Sequence, residues 1–170
     1  MQIGLLALHV VTGTVLAAHG SQKLFGWFGG FGIRGTAGYM ESIGLRHGAL
    51  MAAAAGSSEL AGGLLFAVGL LTPAAAALIA ATMLVAARTD HRGKGFWIYA
   101  GGAEYVFTTA VIALALAFNG AGAWSLDAVV GWDVAGLWWG IGSLFAAVLS
   151  AGGVLAVFRE RAEAVLGSTV

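Results

Sequence analysis

His19-Gly20-Ser21-Gln22-Lys23 sets an imidazole, an amide and an ammonium at i, i+3 and i+4, so the three share one helical face. Such a set can donate hydrogen bonds to a carbonyl, neutralise a carboxylate or pass a proton. It follows the apolar run Ile3–Ala18 without a break. The three groups therefore enter hydrocarbon, where polar atoms must find partners within the protein. Glu59, Arg88 and Glu104, one on each of the next three apolar segments, are the expected partners.

Two carboxylates balance Lys23 and Arg88, and two uses of the cluster follow. In one, ion pairs hold small-residue helices together. In the other, the groups line a pocket in which His19 and Lys23 donate to a ligand carbonyl while Glu59 or Glu104 carries protons. A metal site of His19, Glu59 and Glu104 is disfavoured by the neighbouring cations, so no metal is expected. Haem lacks a second histidine at the depth of His9. His47 and His91 read as solvated turn residues and Tyr105 as a packing residue.

The elements that position these groups belong to a membrane protein. Hydrophobic residues make up 59% of the 170 and charged residues 9%, against about 25% in soluble domains. Mean hydropathy is +0.90. Net charge is zero, which implies no nucleic-acid partner, and the absence of cysteine excludes disulfides, thiolate metal sites and iron–sulfur clusters.

Five apolar segments are legible: Ile3–Leu24, Ala49–Leu71, Ala74–Arg88, Phe96–Phe118 and Val134–Phe158. The first shows no secretory cleavage pattern and is expected to be retained. Between the first two lies an interfacial stretch, residues 26–47. It is a glycine–aromatic loop followed by a short amphipathic piece, Thr36–Leu45. Gly30, Gly32 and Gly35 match G-x-G-x-x-G, but no strand precedes them and a dinucleotide site is rejected. Thr72 is expected to cap the third segment, with Pro73 at its first position.

Five spans would put all 8 Lys and Arg on one side: Lys23, Arg34, Arg46, Arg88, Arg92, Lys94, Arg159 and Arg161. The positive-inside rule then gives an N-terminus outside and a C-terminus inside. The expected fold is an all-α four-helix transmembrane bundle (1–131) with a fifth transmembrane helix and short cytoplasmic tail (132–170). The expected location is a multi-pass position in the bacterial cytoplasmic (inner) membrane.

The ordered motifs resemble the DoxX family of small bacterial membrane proteins. They are His19-Gly-x-Gln-Lys-Leu-Phe-Gly26, Gly35-Thr-Ala-Gly38, Glu41-Ser-Ile-Gly44, Glu59-Leu-Ala-Gly-Gly63, Gly69-Leu-Leu-Thr-Pro73, Gly95-Phe-Trp97, Gly101-Gly-Ala-Glu-Tyr105 and Ser125-Leu-Asp127. The resemblance implies a four-helix membrane bundle, with His19, Gln22, Lys23, Glu59 and Glu104 at the family's motif positions. It also implies a setting of quinone-dependent redox chemistry and oxidative stress, the family being named for a subunit of a thiosulfate:quinone oxidoreductase. No covalently bound cofactor is expected, and quinone is the expected small-molecule partner. The fifth segment lies beyond the family pattern and reads as a docking helix for other membrane subunits. Three function classes follow: a quinone-linked redox protein, a non-catalytic accessory subunit of a respiratory-type complex, or a small-solute carrier. Whether the chain is itself an enzyme stays open at this point.

Overall fold

The structure, a computed structural model, describes residues 2–160; Met1, Arg161 and the expected tail to Val170 lie outside the described residues. The described chain is helical: α1 (Gln2–Phe25), α2 (Gly32–Ser42), α3 (Gly48–Ala67), α4 (Thr72–Arg88), α5 (Glu104–Asn119), α6 (Leu126–Val129) and α7 (Leu137–Phe158). Short 3-10 turns at Trp27–Gly29 and Ile98–Ala100 interrupt the two longer connections at one end. Helices α1, α3 and α7 are long and apolar enough to cross a membrane, while α4 and α5 are apolar but shorter. The fold is all-α and membrane-like.

Glycine sets the closest contact. Helix α1 runs antiparallel to α3, with Gly13 against Gly63 and Gly20 against Gly56. A Cβ on Gly13 would lie 2.5 Å from the Gly63 carbonyl oxygen, and one on Gly20 would lie 2.6 Å from that of Gly56. Without side chains at these points the backbones approach closely, the means by which helices associate where no hydrophobic drive exists. A core of Leu16, Phe66, Ile79, Met83 and Leu116 fills the space between α1, α3, α4 and α5.

Helix α4 begins after Leu71, which takes a left-handed conformation at φ 50°, with Pro73 in the first turn as expected. Its cap differs from the expectation. The carboxylate of Asp127, 55 residues away in sequence, accepts hydrogen bonds from the Leu71 N–H at 2.8 Å, the Thr72 N–H at 3.1 Å and the Thr72 hydroxyl at 2.8 Å. The Thr72 hydroxyl is thus a donor to the cap. A buried acid against free N–H groups at a helix start is favoured by both hydrogen bonding and the helix dipole.

Several boundaries move. Helix α2 starts at Gly32, four residues before the expected piece. Helix α5 starts at Glu104, not Phe96, because Gly95 and Gly101 both take φ of 78° and turn the chain back on itself. The Glu104 N–H then bonds the Phe96 carbonyl at 2.7 Å.

Helix α7 lies against α4 and α5 as part of the same body. Near its start the Ser143 hydroxyl donates to the Pro73 carbonyl at 2.8 Å, and Gly140 packs on the Phe118 ring. At its end Arg46 N–H donates to the Phe158 carbonyl and Glu160 N–H to that of Gly44. The Arg46 guanidinium also donates to the Val157 carbonyl. One end of the bundle thus gathers the starts of α1, α4 and α7 with the ends of α3 and α5. The other gathers α2, the 89–103 connection and the end of α7.

Candidate functional site

Helix α1 carries the first three polar groups, and the structure gives each a different task. Lys23 reaches across to α3, where its ammonium lies 2.5 Å from a Glu59 carboxylate oxygen. Glu59 is buried at 4% exposure, while the Lys23 side chain keeps 26%. The ion pair offsets part of the cost of burying a carboxylate this deep. Gln22 turns toward the glycine–aromatic loop, its amide donating to the Phe28 carbonyl at 3.2 Å. The Thr36 hydroxyl donates to the Lys23 carbonyl at 3.3 Å, so α2 is clasped to the end of α1. Gly30 rests directly on Gln22, and any Cβ there would collide with it.

His19 packs on α5 instead, its ring 5.6 Å from that of Tyr105, centroid to centroid. The Tyr105 hydroxyl is buried and has no hydrogen-bond partner among the described residues.

His19, Gln22, Lys23, Glu59 and Tyr105 all line one cavity of about 880 Å³. Such a volume falls in the range of small-molecule sites, roughly 300–1,000 Å³. The remaining walls are mostly alanine, methionine and other apolar side chains from α2, α3, α4 and α7. Gly29, Gly30 and Phe31 stand at the end formed by the glycine–aromatic loop.

Arg88 and Glu104 fall outside this group. Arg88, in the last turn of α4, is exposed and makes no ion pair with any described residue. Glu104 begins α5, and its carboxylate accepts the Ile98 N–H at 2.9 Å, bracing the 3-10 turn. It is not among the cavity walls. The reason is the late start of α5: with residues 96–103 folded as a turn, Glu104 sits at a helix end and not two turns inside. Among the described residues, no three His, Asp or Glu side chains gather as a metal ion would need.

Tyr105 packs on the core and on His19, as expected of a packing residue, but a second polar group at the cavity's edge was not anticipated. There Tyr39 of α2 faces Asp90, which also pairs with Lys94 at 3.0 Å. Burial, with the Asp90 carboxylate alongside, pushes the Tyr39 hydroxyl up to about 12. Burial acts to raise Asp90, but hydrogen bonds from Tyr39 and Lys94 outweigh it and hold the carboxyl below the ordinary aspartate value. His91 donates from Nδ1 to the Gly101 carbonyl at 2.7 Å and also lines the cavity. These three sit in loops or an interfacial helix, where polar residues are ordinary, so their types alone gave no signal.

The family model for DoxX matches residues 4–92, which include nearly all of α1, the whole of α2 to α4 and both members of the Lys23–Glu59 pair. The chain belongs to the DoxX family. A Bacillus subtilis relative with the curated name "Putative oxidoreductase CatD" is 33% identical over 129 residues, covering 76% of this chain and 88% of the relative. No solved structure matches the chain. Among the helices that wall the cavity, α5 and α7 lie beyond the matched DoxX residues, yet Tyr105 and Ser150 come from them.

Proposed function

We propose that this DoxX protein is a redox-linked protein of the bacterial inner membrane whose cavity takes the headgroup of a quinone. The observation that carries the reading is a large cavity, apolar over most of its wall, with Lys23–Glu59, His19 and Tyr105 converging on one part of it. The relative's name as an oxidoreductase agrees with this context.

The donor set suits a molecule with two ring carbonyls. Lys23 keeps donor hydrogens beyond the one engaged by Glu59, and the Tyr105 hydroxyl meets no hydrogen-bond partner among the described residues. A bound quinone would supply a two-electron, two-proton couple, with its electrons coming from a separate redox protein. The chain's own part is to orient and to manage protons. Lys23 holds positive charge beside one carbonyl. The Tyr105 hydroxyl and the His19 ring donate toward the other and can transfer a proton. Glu59 fixes Lys23 in place, and the apolar walls keep bulk water from the ring.

Purified protein in mild detergent, titrated with a quinone and followed by fluorescence quenching or equilibrium dialysis, tests the reading. Binding near one equivalent is expected. His19→Ala and Tyr105→Phe should weaken it several-fold while melting at the wild-type temperature. Equal binding by all forms, or none by any, would favour a non-catalytic accessory subunit held in a larger membrane complex.

A further inference from the structure

The cavity extends well past the polar groups. Its lining continues along α4 from Ala74 through Ala77 and Ala81 to Val85 and Ala86. Those positions recur every three or four residues and so form one face of the helix. From residue 74 to 86 that face runs about 18 Å at 1.5 Å per residue.

Two other helices make its sides. Ala54 and Ser58 come from α3, and Ala146 and Ser150 from α7. Both helices pack on α4. At one end they meet through a plug of Met40, Leu45 and Met51 against Val154 and Phe158, sealed by the Leu45–Arg159 backbone bridge. Away from that plug Ala54, Ala74, Ala146 and Ser150 are all exposed. On apolar helices of a membrane protein, such exposure faces lipid. The headgroup region is therefore continuous with a long, small-residue trough that opens sideways toward the acyl chains.

We infer that the trough over α4, between α3 and α7, holds the isoprenoid tail of the ligand, and that Ala77, Ala81 and Ser150 set selectivity for long-tailed quinones over tail-less ones. This rests on the quinone reading of the headgroup region. The occupant follows from continuity and surroundings: a chain attached to a ring near Lys23 and leaving through this opening must be apolar and slender. It also gives α7 a task within the site.

Ala81→Phe and Ser150→Phe place rings in the trough and leave Lys23, Glu59 and Tyr105 themselves unchanged. In titrations of purified protein, both variants should bind a long-tailed menaquinone or ubiquinone at least tenfold more weakly than wild type. A tail-less naphthoquinone or benzoquinone should bind wild type and variants alike. Unchanged binding of the long-tailed ligand by folded variants overturns the inference and leaves the headgroup reading standing. Absence of binding by either ligand to wild type removes the headgroup reading and this inference with it. If the variants do not fold, wild-type protein labelled by a quinone with a photoreactive group at the tail end decides. Label on residues 54–58, 74–86 or 146–154 supports the trough, and label confined to helices that do not line it overturns it.

Discussion

Lys23 and Glu59 are the residues whose interaction is most sensitive to loss of one member. Lys23→Met leaves a carboxylate at 4% exposure with no counter-charge, a change expected to cost about 3–5 kcal/mol. Lys23→Met with Glu59→Leu removes both charges and should recover most of the melting temperature lost by the single variant, read by thermal unfolding in detergent. Asp127 is a second such point, because three hydrogen bonds at the start of α4 end on its carboxylate. Asp127→Asn keeps one acceptor oxygen and turns an NH2 toward a donor, so a loss of about 2–3 kcal/mol is expected in the same assay. Tyr39 gives a pH signature. Its hydroxyl titrates at about 12 in the folded chain against 10 for a free tyrosine. The unfolded state then loses its proton first, so the stabilisation is complete below pH 10 and is lost as pH rises from 10 through 12. Tyr39→Phe should flatten that part of the stability–pH curve. Asp90 behaves in the opposite sense: its lowered value adds stability that is present above the ordinary aspartate pKa of 3.8 and lost as pH falls below it.

At the scale of elements, α1 and α3 are held by backbone proximity. Gly20 sits against the backbone of Gly56 and Leu60, one turn from Lys23 on α1 and one turn from Glu59 on α3. Gly20→Val must part the two helices and with them the ion pair. Gly152→Val on α7 meets nothing within 4 Å. Size-exclusion profiles of detergent-extracted protein should show aggregation or loss for the first and a wild-type peak for the second. Helix α7, for its part, is held at both ends, by Ser143 on Pro73 and by the Gly44–Arg46 strap. A docking role for it would have to use the opposite face, where Trp138 and Phe145 stand outward at 80% and 63% exposure.

Across the described residues, positive charge is sorted by end. Lys23, Arg34, Arg46, Arg88, Arg92, Lys94 and Arg159 lie at the end formed by α2, the 89–103 connection and the close of α7, and Asp127 and Asp133 lie at the other. By the positive-inside rule the first end is the one expected to face the cytoplasm. Reporter fusions should therefore show the C-terminus inside and the Asn119–Asp133 connection outside, which would also fix five crossings. A fusion in that connection that is active in the cytoplasm would overturn both.

Membrane class, the all-helical fold, the apolar segments and the polar face of α1 follow from the amino-acid sequence alone. Hydrocarbon length and the cost of unpaired polar groups act on local composition, and composition is local. Glu59 was legible there as a partner, but not which of Glu59, Arg88 and Glu104 would stay in the cluster. Lys23 meets Glu59 because Gly13, Gly20, Gly56 and Gly63 draw two helices together at one register, and a register between segments is a long-range property. Glu104 left the expected cluster because two left-handed glycines delay α5 to residue 104, which turned a buried acid into a brace for a turn and put Tyr105 in its place. Arg88 ended exposed because the last turn of α4 comes out at the surface, with no described acid within ion-pair distance. The cap of α4 came from Asp127 and the trough wall from α7, each distant in sequence. Which surfaces a helix covers depends on where its neighbours are anchored, and only the packed chain decides that.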